Sequence, residues 1–559
     1  MSFSTSFKKG IEGNQKVLKD DNTLKLYPHT DFSVFLRSCE QEISTPINGK
    51  IGGKIPEWLN GTLIRNGPGN LKFGKHEFKH LFDGSALLHR YRIKDGNVTY
   101  QCRFIRSEAY KKNWEAKRIV FNEFGTQAVP DPCHNLLKRL TTFFNPERFL
   151  TDNSNISIYP FQDEIYSISE TVYAHKINAT TLECEERKDI RDIIPLVVHH
   201  SSHPHVAEDG TVYTSALSVG LLGTTHHIVC FNKPENGEKS MFDTARIVAS
   251  VPAPWPLNPS YMHTFGISDN YFVMIQQPFS VSITGLVTAL VVNRPTSSAL
   301  RWYEKEQTII TLINRTTDQK EDFYTSSFFY LHIINQFEIT DEYLVIDVCC
   351  YKNPDFVNCM FTENLLNAQM NPCFAKMARN KPQRFIVPLT KFKKQSFNKE
   401  TQSSSGNLIH LDNSLCEAYL QRDGRIILSP EDLCGLSCET PQIYYKKYSG
   451  KPYRYFYAIG ADVATENPGL IIKVDTVEKD CKTWCEKNCY PSEPIFFPRP
   501  NAQEEDDGVL MSSLLWGEEQ WNKIGLIILD AKSLKELGRA EFTTPSPAPK
   551  CLHGWFIPD

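Results

Sequence analysis

Ala86-Leu-Leu-His-Arg-Tyr-Arg-Ile-Lys-Asp-Gly-Asn-Val-Thr-Tyr100 sets the reading of the whole chain. Apolar and polar residues alternate along it, and turn residues interrupt the alternation, which is the pattern of a strand, a turn and a returning strand. Runs of the same kind recur at 62–70, 154–169, 210–220, 270–278, 342–351, 424–430, 470–475, 508–515 and 523–534. Long helical periods are few, so the chain reads as all-β. So many strands in one chain leave an edge problem, which a propeller or a large barrel solves by radial repetition or closure. No blade motif repeats visibly, and the pattern alone leaves the blade count open.

The length of 559 residues accommodates several domains or one large repetitive β domain, and no hinge divides it. With 61 Lys+Arg against 65 Asp+Glu the net charge is −4, which speaks against a nucleic-acid partner, since neutralising phosphates needs a basic excess. No run approaches the roughly 18 apolar residues that span a bilayer as a helix. The start, MSFSTSFKKG, lacks the apolar run and cleavage site of a secretory signal, so a cytoplasmic protein with reduced thiols is expected.

Two stretches are amphipathic enough to touch a membrane surface. Phe279 to Val292 (FSVSITGLVTALVV) reads as a surface contact through Leu286, Val287 and Leu290, or as a buried strand pair or helix. Asn135 to Leu150 follows Pro130-Asp-Pro-Cys133 and reads as a helix that packs on the domain or meets lipid through Leu136, Leu137, Phe143 and Phe144. Cys133 beside it is a plain thiol or an acylation site. Asn364 to Asn380 has the most helical composition of the middle region, and 391–407 reads as a polar surface loop.

Any one of the 16 histidines is ordinarily a structural or surface residue. Four stand out by context: His203 in Ser-Ser-His-Pro-His, His263 in Tyr-Met-His-Thr, His332 in Tyr-Leu-His-Ile and His553 in Cys-Leu-His-Gly. Their separations of 60, 69 and 221 residues match no local zinc pattern. In a propeller with blades of about 60–70 residues, however, equivalent inner strands would each bring one imidazole to the axis. Cys481, Cys485 and Cys489, spaced every four residues, are a rival metal site of unusual spacing.

Several ordered motifs resemble the carotenoid cleavage oxygenases, and among them the animal branch of β-carotene oxygenases and retinoid isomerase. They are Pro56-Glu-Trp-Leu-Asn-Gly61 with Arg65-Asn-Gly-Pro68, His80-Leu-Phe-Asp-Gly84 with Ala86-Leu-Leu-His89, Pro130-Asp-Pro-Cys133, His203-Pro-His205, and Tyr490-Pro-Ser-Glu-Pro494 with Glu504-Glu-Asp-Asp-Gly508. The resemblance runs from about Pro28 to Phe556. It implies a seven-bladed β-propeller over residues 28–559, with a few helices and loops capping the face that holds the metal. Residues 1–27 are then a poorly structured N-terminal extension.

The resemblance further implies an Fe(II) ion held by His203, His263, His332 and His553, with His205 outside the set. Glu170, Glu439 and Glu493 map onto glutamates that hydrogen-bond the ligand imidazoles, fixing the ring N–H and offsetting metal charge. Dioxygen is the implied co-substrate and a carotenoid such as zeaxanthin or β-carotene the substrate, taken from a membrane surface by a peripheral enzyme. The family offers central cleavage, eccentric cleavage, or retinyl-ester isomerohydrolysis, and a silent carotenoid-binding propeller is a further alternative. The N-terminal extension, the 391–407 loop and the Cys-rich 481–489 segment are similar to the insect branch. There, central cleavage is combined with trans-to-cis isomerisation, giving one all-trans and one 11-cis retinal.

Overall fold

The stretch 86–100 folds as its alternation predicts. Strands Ser85–Lys94 and Asn97–Phe104 pair antiparallel, closing at Lys94 opposite Asn97. The two turn residues, Asp95 at φ 49° and Gly96 at φ 74°, both adopt the left-handed conformation that a two-residue hairpin turn requires. The structure is a computed structural model that describes residues 25–130, 151–220, 223–234, 240–389 and 406–559.

Repetition of this grammar produces seven sheets of four or more strands, arranged as a seven-bladed propeller, with two small two-stranded pairs besides. Both chain ends take part in closing the ring. The late strand Gly554–Pro558 lies on the inner edge of the first blade, pairing Arg65 with Gly554 and Gly61 with Pro558. Reciprocally, Lys50–Gly53 completes the outer edge of the last blade by pairing with Glu536–Thr543. No blade edge has to stay open at the seam, and apolar packing seals it. Leu63, Leu87, Tyr91 and Tyr100 of the first blade share one core with Leu526, Ala540 and Phe542 of the last. Each fully buried side chain of this size contributes about 2 kcal/mol.

Helices are few among the described residues. Glu108–Ala116 is capped by Ser107, whose side chain accepts from the Tyr110 N–H. The helical composition of 364–380 does not give one helix. It breaks into Thr362–Leu366, Ala368–Met370 and Phe374–Ala378. Pro372 is the reason: its ring pushes Asn371 to an extended conformation, φ −101° and ψ 103°, between the pieces. Phe279 to Val292 is neither a strand pair nor a buried helix but both types in succession. Strand Phe279–Val281 leads through the Ser282 cap into helix Ile283–Val291.

Of the expected membrane contacts, Val287 is 56% exposed and its neighbours Val291 and Val292 are 58% and 50% exposed, while Leu286 and Leu290 are half-buried. Leu136, Leu137, Phe143, Phe144 and Cys133 lie outside the described residues, as does nearly all of the 391–407 loop. Of the segment 1–27 only the last three residues are described. Tyr27 is buried there, donating its hydroxyl to the Asn371 carbonyl at 2.8 Å.

Candidate metal centre

His332 lies in Phe329–Ile339, the inner strand of the fifth blade, where the register slips between Tyr330 and Ile333. Such an irregularity re-aims a side chain relative to plain alternation. The other three histidines sit just outside inner strands. His203 follows Val197–His200 of the third blade, His263 precedes Gly266–Ile267 of the fourth, and His553 directly precedes Gly554–Pro558 in the first. Gly554 lets that last strand approach closely, because a Cβ there would stand 2.6 Å from the Ile64 carbonyl oxygen.

All four imidazoles are buried and converge, with one potential ligand atom from each lying within 4.8 Å of the others. Among the described residues this is the one such cluster. Ring centroids of His203 and His553 are 4.5 Å apart, those of His203 and His263 4.6 Å. His205 stays out of it, its ring nitrogens facing the Tyr445 hydroxyl at 3.1 Å and the Phe265 carbonyl at 2.8 Å. The cysteines make no rival site. Cys481 and Cys485 lie on strand Asp480–Cys485, where four residues span about 13 Å, too far to share one ion.

Three histidines meet the three glutamates expected from the sequence. The Nδ1–carboxylate distances are 2.5 Å for His263 and Glu170, 2.7 Å for His332 and Glu439, and 2.8 Å for His553 and Glu493. These glutamates come from the second, sixth and seventh blades, so every blade gives one residue to the axis: four imidazoles and three carboxylates. Burial alone would raise each carboxyl pKa. The facing imidazole outweighs it and holds Glu170, Glu439 and Glu493 below the ordinary carboxylate range.

Further donors steady the carboxylates, and none of them stood out in the sequence. Tyr261 donates to Glu170 at 2.9 Å, Tyr351 to Glu439 at 2.8 Å, and Gln442 to Glu493 at 2.8 Å. Arg65, fully buried, places its guanidinium 3.8 Å from Glu493 and donates to the Leu552 carbonyl at 2.8 Å. Two weak signals existed: Arg65 lies within a quoted motif, and Tyr261 is two residues from His263, hence on the same face of an extended segment. Among the described residues His203 meets no carboxylate. Its Nδ1 faces the Tyr159 hydroxyl at 3.4 Å.

With their Nδ1 atoms so engaged, the Nε2 atoms of His203 and His332 are buried without a described partner. An orphaned buried polar atom costs about 1–3 kcal/mol, which a shared cation would relieve. Charge points the same way. Three carboxylates against the single charge of Arg65 leave two negative charges, the complement of a divalent ion. His203 is held well towards the neutral, ligand-competent form by burial and by its three imidazole neighbours.

A cavity of about 400 Å³ opens from the centre, walled by His263, His332 and His553 and by apolar side chains such as Phe82, Phe124 and Phe279. That size and lining suit a small apolar ligand. The chain thus brings together a cation-ready cluster and an apolar chamber, which can place an unsaturated hydrocarbon beside a metal.

Comparison with known proteins agrees with this arrangement. The family model described as retinal pigment epithelial membrane protein (RPE65) matches residues 36–558. The carotenoid isomerooxygenase of Galleria mellonella is 47% identical, covering 96% of this chain and 98% of that one. The enzyme of the same name from Drosophila melanogaster is 44% identical over 96% of this chain and 95% of its own length. Human β,β-carotene 15,15′-dioxygenase is 36% identical, covering 94% of each chain. A mutant of Synechocystis apocarotenoid oxygenase superposes with a TM-score of 0.74 at 20% identity, over 95% of this chain and 100% of that one, and shares the fold. The chain belongs to the RPE65 family of carotenoid oxygenases.

Proposed function

We propose that this protein is an Fe(II)- and dioxygen-dependent enzyme that cleaves the central double bond of a carotenoid such as zeaxanthin or β-carotene. It couples that cleavage to trans-to-cis isomerisation of one half, giving one all-trans and one 11-cis retinal. The convergence of four buried imidazoles on the wall of an apolar cavity carries the reading. The names of the two insect relatives support the isomerase half.

His203, His263, His332 and His553 are the residues that would hold the iron, through the nitrogens left free by the hydrogen bonds at Nδ1. Ferrous iron bound there supplies the means to bind and reduce dioxygen, which a closed-shell protein side chain lacks. Glu170, Glu439 and Glu493 accept hydrogen bonds from the Nδ1–H groups of their histidines, fix the tautomer that leaves Nε2 free, and would balance the charge of the ion. The cavity wall keeps water out and holds the polyene so that one double bond faces the centre, which is catalysis by positioning. Incubating iron-loaded protein with β-carotene under air and resolving the products by chromatography tests this. Equal amounts of the two retinal isomers are expected; long apocarotenals, or retinals without the 11-cis form, overturn it.

Substrate of this kind comes from lipid, and we propose that the protein lies peripherally on the cytoplasmic surface of intracellular membranes, touching it through helix Ile283–Val291. No helix among the described residues is long and apolar enough to cross a membrane. Val287, Val291 and Val292 present an exposed apolar face suited to shallow insertion. Replacing these three by Glu should weaken sedimentation with liposomes; unchanged binding removes this contact.

A further inference from the structure

Lys550 has no part in the four-histidine centre, yet it stands in the wall of the same cavity, alongside Phe35, Tyr490, Pro491, Leu552 and His553. Its Nζ donates to the Pro491 carbonyl at 2.6 Å and sits 5.9 Å from the centre of the Phe35 ring. Among the described residues no carboxylate pairs with it. It stands three positions before His553, so its Cα is at most about 11 Å from that histidine's Cα. A lone amine in an apolar chamber, within reach of a centre that makes aldehydes, has an evident chemistry.

We propose that Lys550 is a carbonyl-capture site, whose Nζ condenses reversibly with a polyene aldehyde in the cavity and holds it as an imine. This rests on the cleavage reading only for the source of the aldehyde. The amine nitrogen adds to the carbonyl carbon, the C=O π bond becomes a hydroxyl, and a proton moves from nitrogen to oxygen. Loss of that oxygen as water forms the C=N bond. Nothing is oxidised or reduced, and hydrolysis reverses every step. The reacting form is the neutral amine, which burial favours: the ammonium is pulled down to about 8, with Cys551 and Cys489 pushing it up and Arg65 pushing it down. More of Lys550 is then free amine near neutral pH than of a lysine in water.

Cleavage yields two aldehydes, and one lysine can retain one of them. One product therefore leaves at once, while the other stays until hydrolysis frees it.

The test supplies the aldehyde directly. Full-length iron-loaded protein is mixed with all-trans-retinal and sodium cyanoborohydride, digested, and mapped by mass spectrometry, while carotenoid cleavage is assayed separately without reductant. N-retinyl lysine at position 550 is expected at least about 10-fold above the mean for other lysines. In Lys550→Arg only the background on other lysines should remain. Labelling of Lys550 no greater than that of other lysines overturns the proposal, whatever the cleavage assay gives. Labelled Lys550 in protein that does not cleave carotenoid would defeat the cleavage reading and leave the capture site standing. Because the site is resolved in wild-type protein, the result does not depend on the variant folding.

Discussion

His263, His332 and His553 each set Nδ1 against a carboxylate, half-buried for Glu170 and buried for Glu439 and Glu493, whereas His203 is placed by its backbone. The His203 N–H donates to Ser201 Oγ at 3.0 Å, and that hydroxyl donates in turn to the His263 carbonyl at 2.5 Å. Ser157 ties down the neighbouring Ser202 carbonyl. The fourth imidazole is thus held in position without an added charge. The difference has an electrostatic reason. A divalent ion held there would, with Arg65, balance three carboxylates, and a fourth would leave a buried excess of negative charge, which is costly in a low-dielectric interior.

Removing a ligand should have the largest effect. His332→Ala takes away an imidazole and leaves Glu439 buried without its partner, so iron content by elemental analysis should fall to background and cleavage with it. Next come the carboxylates. Glu439→Gln and Glu493→Gln keep an acceptor for the imidazole N–H but remove its charge, and should each weaken iron binding about 10–100-fold in a competitive chelator titration. Equal affinity in wild type and both variants would show that the charge balance does not hold the metal.

A buried acid without an imidazole sharpens the same contrast. Asp83 is fully buried and accepts from the Gly125 N–H at 3.0 Å and from Thr126 Oγ1 at 2.5 Å, but among the described residues it pairs with no cation. Burial pushes it up to about 7, opposite in direction to the three paired glutamates. Its folded-state pKa exceeds the unfolded value of about 3.9, so the stability it contributes is complete below pH 4 and is lost as the pH rises through 7. Asp83→Asn stays neutral throughout. Between pH 5 and pH 8 its melting temperature should fall a few degrees less than that of the wild type, measured by calorimetry. A parallel fall in both proteins would assign the pH dependence to other groups.

The smallest effect belongs to the fourth histidine's neighbour. Tyr159→Phe deletes only a long neutral contact to His203, so iron affinity should stay within about threefold of wild type. A loss as large as that of the glutamate variants would mean that Tyr159 serves His203 as the carboxylates serve the others.

The strands were legible because alternation is local: the hairpin over 86–100 needs nothing beyond its own residues. The convergence of His203, His263, His332 and His553 was not legible from spacing. Their separations reflect whole blades and a ring closed by the chain ends, and only motif resemblance selected them and Glu170, Glu439 and Glu493. Arg65, Tyr351 and Gln442 escaped because each acts on a neighbouring blade; Arg65 meets a carboxylate 428 residues away. Composition misled at 364–380, where one proline outweighs good helix formers on either side. At 279–292 a single window averaged a strand and a helix that serve different surfaces.

Iron K-edge X-ray absorption on the full chain loaded with Fe(II) bears most directly on the centre. One iron per chain, with four imidazole nitrogens in its coordination shell and no sulfur, is the expected result. Iron bound through sulfur or glutamate oxygen, or a chain that retains none, would contradict the four-histidine centre.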